Sequence, residues 1–394
     1  MKPIKDIYRI GHGPSSSHTI APQRAAAFFR KATPEAERYV VTFGGSLALT
    51  GKGHRSDLIV QETLAPVPAE CHFDFADPEN RITLQAYCGE ELLLEWHALS
   101  LGGGSIRIAE YDCGDEHDLY PQRNWQQLKE AVLASGLSLP EYLYQQEQDL
   151  RLHLEESFHV MCSSIERGLQ SEGVLNEELQ YVRSAGKLFR SAENERDLLC
   201  AYAYAVGEEN AAGHIVSTAP TLGSAGVAAA LLYYAYHDQG RSLAEITDAM
   251  ATGAVFGNVI KQNATIAGSL GGCQAEIGTA CAMSAAMAAC LQGDTLEVIE
   301  RAAEIAMEHH LGLTCDPVRG YVIIPCIERN AAAVLRAVDA AQLAEKLIRI
   351  GKKGLVSFDM VVHSMNYTGQ KIAVELKETS LGGLALEFKD GKKD

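Results

Sequence analysis

The sequence predicts an α+β N-terminal domain followed by a mostly all-α domain with a core of small-residue apolar helices. β-Branched and aromatic runs occur in the first 112 residues, whereas helical periodicity dominates after residue 122. Residues 225–236 and 250–291 carry almost no charge and are rich in Ala, Gly, Ser and Cys. Helices that are apolar on every side belong in the centre of a domain, where small residues let backbones approach closely.

Each element of the first domain follows from a local pattern. Residues 38–49 and 81–94 predict strands, because β-branched and aromatic residues there are bounded by Gly, Pro and Asp. Residues 21–31 are rich in Ala and carry Pro22 in the first turn, which is typical of a helix. The acidic run at 111–116 is typical of a linker. We therefore expect domains at residues 1–112 and 122–394, joined by a linker at 113–121.

The second domain is predicted from helical periodicity with charged outer faces at residues 124–134, 139–168 and 194–209. The uncharged runs at 225–236 and 250–291 would supply its buried helices. A membrane span is the weaker interpretation of the longer run, because polar residues interrupt it. These residues are Lys261, Gln262, Asn263, Gln274 and Glu276.

The composition argues against several classes of protein. The 394 residues carry a formal net charge of −17, which disfavours nucleic acid and anionic membranes as partners. The sequence contains no stretch of about 20 apolar residues, and its first residues lack the apolar core of a signal peptide. We therefore expect a soluble cytoplasmic protein. Its ten cysteines would serve metal binding, catalysis or burial rather than a disulfide framework.

The most informative motif is the run GPSSSHT at residues 13–19. Serine hydroxyls and successive backbone N–H groups in such a loop can converge on one small carboxylate. His18 at its end could move a proton near neutral pH. The simpler interpretation is a Ser-rich cap in front of the helix that starts near Pro22.

Three cysteines differ from the others in their surroundings. Cys273, Cys315 and Cys326 each lie on a predicted turn or helix end, where a thiolate can be stabilised and can face a cavity. Three soft thiolates suit an iron–sulfur cluster or zinc. Their spacings of 42 and 11 residues match no short ferredoxin-like or zinc-finger pattern. Cys281 and Cys290 fall inside Ala-rich helix and are expected to be core residues.

Taken together, the motifs resemble the iron–sulfur-dependent L-serine dehydratases, in the form where the β and α parts are fused. The resemblance covers nearly the whole chain. In the β part it rests on GPSSSHT at 13–19, GSLALTGKGH at 45–54 and SLGGG at 100–104. In the α part it rests on STAPTLGSAG at 217–226, KQNATIAG at 261–268, GCQAEIGTAC at 272–281, AMEHHLGLTCDPVRG at 306–320, IPCIERN at 324–330 and KETSLGGLA at 377–385.

The resemblance implies a cofactor and a reaction. In that family three cysteines hold a [4Fe–4S] cluster and leave one iron open to substrate, and these match Cys273, Cys315 and Cys326. Hydroxide is a poor leaving group from L-serine, and an open iron acts on it as a Lewis acid. A base removes the Cα proton, and the 2-aminoacrylate that forms gives pyruvate and ammonia without further help. The implied enzyme is an L-serine ammonia-lyase with a small amino-acid substrate.

The matched motifs also suggest roles for individual residues. The residues expected to bind substrate are Ser15, Ser16, Ser17, Thr19 and Asn263. The general base is expected to be His18 or His54, with His54 preferred because it follows a Gly-Lys-Gly turn that lets the backbone approach a ligand. Lys52 is the next candidate for the base, and it could instead pair with the substrate carboxylate.

The chain departs from the family pattern in three places, one of which is the segment GVLNEE at 173–178, where a Pro-Gly-Gly-type turn is expected. Some fused members end in a cysteine that caps the cluster, whereas this sequence ends in FKDGKKD at 388–394. We therefore expect a tail that does not ligate iron. The β part is also shorter than in many relatives, so no separate regulatory domain is expected.

Three alternatives stay open. A pyridoxal-phosphate dehydratase with Lys52 or Lys261 as the Schiff-base lysine would give the three turn cysteines no purpose. The same cluster could act on L-threonine or L-cysteine. A non-catalytic cluster-binding sensor is disfavoured, since three thiolates rather than four leave an open coordination position. A homodimer is expected, because twofold assemblies are the commonest oligomers.

Overall fold

The computed structural model describes residues 1–115 and 117–390. The last four residues of the tail at 388–394, which is predicted not to ligate iron, lie outside the described residues. The strands are β1 Ile10–His12, β2 Arg38–Phe43, β3 Ala69–Phe73, β4 Arg81–Cys88, β5 Glu91–Gly102, β6 Ser105–Ile108, β7 Val174–Asn176, β8 Tyr181–Val182 and β9 Ile215–Ser217. The helices are α1 Ile20–Ala32, α2 Ser46–Leu49, α3 Ser56–Leu64, α4 Trp125–Ser135, α5 Leu139–Gln146, α6 Leu150–Gln170, α7 Ala185–Arg190, α8 Glu195–Ala211, α9 Ala225–His237, α10 Leu243–Asn263, α11 Gly268–Gly271, α12 Thr279–Leu291, α13 Leu296–Glu308, α14 Cys326–Arg349, α15 Phe358–Lys371 and α16 Gly383–Asp390.

A five-stranded sheet with the order β3-β2-β4-β5-β6 forms the centre of the N-terminal part. Strands β2 and β3 run parallel, and the other neighbours are antiparallel. Tyr39, Val41 and Phe43 of β2 are buried, as the two-residue period of a strand requires. Helix α1 packs on this face through Phe29, whose ring centroid lies 5.9 Å from that of Tyr39. The predicted mixture of helix and strand before residue 112 is confirmed.

Helix α12 lies at the centre of the helical part and packs against α9, α10, α13 and α14. Every side chain from Thr279 to Ala289 is buried. Small residues make this packing possible, since a Cβ added to Gly253 of α10 would lie 2.4 Å from Met287. The predicted core of small-residue apolar helices is thus confirmed. Within the described residues, no helix is both long and apolar enough to cross a membrane.

Several predicted elements are divided by turns. The strand predicted at 38–49 ends at Phe43, because Gly45 has a φ of 58° and starts the helical turn α2. The strand predicted at 81–94 is a hairpin of β4 and β5 that turns at Gly89. The apolar run at 250–291 is likewise broken between α10 and α12 by α11 and a π-helical turn, Gln274–Gly278.

The first residues of the chain pack with the helical part rather than with the sheet. Strand β1 pairs antiparallel with β9, and Ile4, Ile7 and Tyr8 join the hydrophobic core of the helices. Within the predicted linker, Asp115 is buried and bonds Arg24 at 2.6 Å and Arg9 at 3.3 Å. Both ends of the N-terminal part are therefore anchored beside the helices. The exact domain boundaries stay a prediction.

Candidate active site

A small enclosed cavity lies where the loop at 13–19 and the turn after α2 meet the helical part. Its volume of about 20 Å³ holds roughly one water. Polar side chains converge on it from six segments of the chain. They belong to Ser15, His54, Cys273, Glu276, Cys315, Cys326 and Glu378.

The predicted carboxylate loop is a tight, buried turn. Thr19 Oγ1 donates to the carbonyls of His12 at 2.6 Å and Ser15 at 2.7 Å, and the hydroxyls of Ser15 and Ser17 lie 3.0 Å apart. Thr19, the N-cap of α1, makes no side-chain capping bond to the helix. Asn210 of α8 donates to the Pro14 carbonyl at 2.7 Å and ties the loop to the helical part. The simpler interpretation, a Ser-rich helix cap, therefore lacks its expected hydrogen bond.

Thr50 links the two candidate histidines and sets their tautomers. Its hydroxyl donates to the Ser46 carbonyl at 2.8 Å, so its oxygen accepts from the rings around it. These are His18 Nε2 at 2.9 Å and His54 Nδ1 at 3.1 Å. His18 Nδ1 accepts in turn from the Ser17 hydroxyl at 2.8 Å. His18 is consequently protonated on Nε2, and His54 on Nδ1.

This arrangement leaves His54 with a free lone pair. Its Nε2 atom is buried and has no hydrogen-bond partner among the described residues, and the ring lines the cavity. The centroids of the His18 and His54 rings lie 4.2 Å apart, edge to face. Burial lowers the pKa of His18 to about 4 and the pKa of His54 well below its usual range. Both imidazoles are therefore neutral, and His54 Nε2 can accept a proton from a molecule in the cavity.

The three predicted thiols reach the same cavity from three turns. Cys273 follows Gly272, which has a φ of 72°, and Cys326 is the first residue of α14. The Sγ atoms of Cys273 and Cys315 and a carboxylate oxygen of Glu276 all lie within 4.8 Å of one another. The third thiol, that of Cys326, lines the same cavity.

Glycine keeps space free beside the thiols. A Cβ on Gly268 would lie 3.4 Å from Cys315 Sγ and 2.6 Å from a carboxylate oxygen of Glu276. A hydrogen bond from Cys315 and the nearby Arg329 guanidinium lower the pKa of Cys273. A metal cluster is bound by soft ligands such as thiolates. The three buried thiols are such ligands, the lowered pKa of Cys273 favours its thiolate, and a Cβ at Gly268 would fill the gap beside them.

A segment near the C-terminus closes the cavity on one side. The Cys315 N–H donates to the Leu376 carbonyl at 2.8 Å, and the Glu378 N–H donates to the Cys315 carbonyl at 2.6 Å. One carboxylate oxygen of Glu378 lies 3.7 Å from His18 Nδ1, and the other is buried and has no hydrogen-bond partner in the described part of the chain. Burial raises the pKa of Glu378 well above its usual range.

Comparison with known proteins assigns the chain to a family. A family model described as serine dehydratase alpha chain matches residues 73–385, and one described as serine dehydratase beta chain matches residues 3–78. The chain belongs to the serine dehydratase family. The resemblance inferred from the motifs and the prediction of an enzyme are confirmed.

Curated relatives match the serine dehydratase chain from end to end. L-serine dehydratase 2 of Escherichia coli K12 is 35% identical, and the alignment covers 98% of each chain. L-serine dehydratase 1 of the same organism is 36% identical over 97% of this chain and 98% of its own. L-serine dehydratase of Streptomyces coelicolor is 35% identical over 98% of each chain. The alignment with the first spans 456 positions against 394 residues here, so this relative carries segments that the present chain lacks.

Some residues that the motifs suggested for the dehydratase site lie outside the cavity. Lys52 is exposed, and its Nζ atom lies 5.8 Å from the centroid of the Phe73 ring. Asn263 donates to the carbonyls of Arg123 at 2.8 Å and Val259 at 3.0 Å. Ser16 is buried in the loop but does not line the cavity. The structure thus brings together His54, Ser15 and the three thiols, with His18 directly behind them.

Four residues in or beside the cavity had no role in the sequence-based prediction. Glu276, Glu378, Arg329 and Thr50 all lie within the motifs that carry the resemblance, yet none was given a role. A signal existed for Glu276, since it is a single carboxylate in an otherwise uncharged run. No comparable signal existed for Glu378, which lies among other charged residues near the C-terminus.

Proposed function

We propose that this enzyme is an L-serine ammonia-lyase that uses a [4Fe–4S] cluster and converts L-serine to pyruvate and ammonia. One observation carries the proposal: a neutral imidazole with a free lone pair, on His54, faces the same cavity as three buried thiols. A base beside a Lewis-acid site is what elimination of water from a hydroxy amino acid requires. Relatives named L-serine dehydratase support the choice of substrate.

Cys273, Cys315 and Cys326 would hold the cluster, because their thiols line one cavity, and a cluster bound between them would widen that cavity beyond its volume of about 20 Å³. When bound, the cluster supplies a Lewis-acidic iron that assists the departure of the β-hydroxyl group. Four other polar groups line the cavity: Glu276 lies beside Cys273 and Cys315, and those of Ser15, His54 and Glu378 remain available to the substrate.

In the proposed mechanism the serine loop orients the substrate by its carboxylate. The Ser17 hydroxyl donates to His18 Nδ1, and the Ser15 hydroxyl lies 3.0 Å from Ser17 Oγ and 3.1 Å from His18 Nδ1. The Ser15 hydroxyl would turn its hydrogen from these acceptors to the carboxylate when the substrate binds. His18 is a positioning residue, because both of its ring nitrogens are engaged by the loop and by Thr50 and Ser46.

His54 then removes the Cα proton with Nε2, while its Nδ1–H remains bonded to Thr50 at 3.1 Å. The fixed ring holds the lone pair toward the cavity throughout, and the small enclosed volume excludes bulk water from the base. Loss of the proton and of the hydroxide gives 2-aminoacrylate. In water this product tautomerises and hydrolyses to pyruvate and ammonia.

Two measurements on anaerobically prepared enzyme test the proposal. Iron and acid-labile sulfide should each approach four per chain, and pyruvate should form from L-serine. L-threonine and L-cysteine, the alternative substrates, should give a lower kcat/KM. An enzyme without iron whose absorbance is that of pyridoxal phosphate would contradict the proposal, as would iron-loaded enzyme that leaves L-serine unchanged.

The proposal also covers the compartment, the oligomeric state and the partners of the enzyme. We expect it to act in the cytoplasm as a homodimer, without nucleic acid or membrane as partner. The net charge of −17 supports the last point, since both surfaces are anionic. Sedimentation analysis of the loaded enzyme should give the mass of two chains.

A further inference from the structure

Glu378 presents a buried carboxylate oxygen that no group of the described protein satisfies. The residue is 4% exposed, and its Oε2 atom has no hydrogen-bond partner among the described residues. The side chain lines the cavity, and one of its oxygens lies within 4.8 Å of a ring nitrogen of each of the two histidines. Its backbone has a φ of 60°, a conformation that a non-glycine residue rarely adopts.

No lysine or arginine of the described residues forms an ion pair with this carboxylate. Its one ion-pair partner among the described residues is His18, at 3.7 Å. His18 cannot supply the charge, because its Nδ1 already accepts a hydrogen bond from Ser17 and its Nε2 donates toward Ser46. A buried carboxylate is costly unless a cation meets it. The cavity therefore favours a ligand that brings a positive charge to Glu378, beside the serine loop and the free nitrogen of His54.

We infer that Glu378 binds the α-ammonium group of the substrate and so restricts the enzyme to α-amino acids. The inference rests on the proposed function. An α-amino acid carries its carboxylate, ammonium and acidic hydrogen on one carbon. Ser15, Glu378 and His54 Nε2 face one small cavity and can each meet one of these groups.

A metal ion is the competing occupant, since His18, His54 and Glu378 approach one another closely. Hydrogen bonds already engage both nitrogens of His18 and the Nδ1 atom of His54. Only His54 Nε2 and the carboxylate remain free of these hydrogen bonds, whereas a catalytic zinc site uses three protein ligands. An ammonium ion needs only acceptors, and it meets a free one here.

The test compares L-serine with 3-hydroxypropanoate, the same skeleton without the amino group, on the cluster-loaded enzyme. Glu378→Gln should raise the KM for L-serine by about 10- to 100-fold, the usual effect of losing a charged hydrogen bond. The inhibition constant of 3-hydroxypropanoate should change by less than about threefold. Glu378→Asp, which keeps the charge on a shorter side chain, should fall between the wild type and Glu378→Gln. Glu375→Gln is the matched control, because Glu375 is exposed on the same segment.

The outcomes separate this inference from the proposed function. Equal changes for L-serine and 3-hydroxypropanoate in Glu378→Gln would overturn the role of Glu378 while L-serine turnover by the wild type still stood. Wild-type enzyme without L-serine turnover would instead contradict the proposed function. If Glu378→Gln loses its iron, Glu378→Asp replaces it in the test. A rise in the KM for L-serine without an equal rise in the inhibition constant of 3-hydroxypropanoate would then support the inference, and equal rises would overturn it. Tight binding of Zn²⁺ that depends on Glu378 would favour the metal ion and overturn the inference.

Discussion

The two halves of the cavity differ in how their polar groups are satisfied. On the sheet side, His18, Ser17, Thr50 and Ser46 form a continuous hydrogen-bonded chain that ends at His54. On the helical side, the three thiols, Glu276 and Glu378 meet with few hydrogen bonds between them. The first half is organised by the protein alone, and the second presents ligand atoms and charges that a bound group must satisfy.

The largest loss of activity should come from removing one of the three thiols of the helical half. Changing Cys273, Cys315 or Cys326 singly to Ala should abolish the visible absorbance of the cluster and all turnover, since each thiol would supply one iron ligand. Cys281→Ala is the control, because Cys281 is buried inside α12 and bonds the Ala333 carbonyl. Full iron content in any one of the three variants would remove that residue from the ligand set.

Removing the imidazole of His54, where the hydrogen-bonded chain of the sheet half ends, should lower turnover nearly as much but should leave the cluster in place. His54→Ala should lower kcat by about 10²- to 10⁴-fold, the usual contribution of a general base. Iron content should stay unchanged, and exchange of the serine α-proton with solvent should slow. His309→Ala serves as the comparison, since His309 bonds the Ile305 carbonyl at the end of α13. Near-normal kcat in His54→Ala would place the base elsewhere.

The burial of the histidine network should make stability depend on pH. An unfolded histidine titrates near about 6.5, whereas the pKa of folded His18 is about 4, so only the unfolded state gains the proton between these values. The stability due to neutral His18 is complete above about pH 6.5 and is lost as the pH falls to about 4, by about 3 kcal/mol in total. Urea unfolding across this range should show the decline, and His18→Gln should flatten it. A matching change in His363→Gln, where the histidine is exposed, would refute the assignment.

The smallest change in kinetics should come from removing the Ser15 hydroxyl, the proposed contact of the sheet half with the substrate. Ser15→Ala should raise the KM for L-serine by about 5- to 10-fold with little change in kcat, because it removes one hydrogen bond to a charged carboxylate. Ser16 does not line the cavity, so Ser16→Ala should have a weaker effect on KM. Steady-state kinetics of both variants at equal iron content provide the measurement. A larger change in Ser16→Ala would show that the loop rearranges around its substrate.

The sheet half was the more predictable half because several of its contacts join residues close in sequence. His18 is three residues from Ser15, and Thr50 is four residues from His54, a helical-turn spacing that brings their side chains together. Lys52 shows the limit of this reasoning, since it lies two residues before His54 and yet projects over Phe73. A shared motif therefore fixes which loop reaches the site but not the direction of every side chain on it.

The helical half was predictable only in its thiols. Cys273, Cys315 and Cys326 could be recognised from their turns and from the family motifs, whereas Glu378 is brought to Cys315 by backbone pairing between distant segments. Such pairing has no local signature in the sequence. The overall fold shows the same limit. Residue patterns predicted helices and strands, but they did not predict the antiparallel pairing of β1 with the distant strand β9.

Ser15 and Glu378 lie near opposite ends of the chain and yet line one cavity. Contacts between such distant residues form late in folding, because closing a long loop costs entropy before the contact compensates for it. The serine loop is itself tied to Asn210 and β1 pairs with β9, so the cavity cannot form before the helical part of the chain has been made. In the proposed mechanism, the contacts for the carboxylate and for the ammonium group of the substrate thus come together only after the segment around Glu378 has been made.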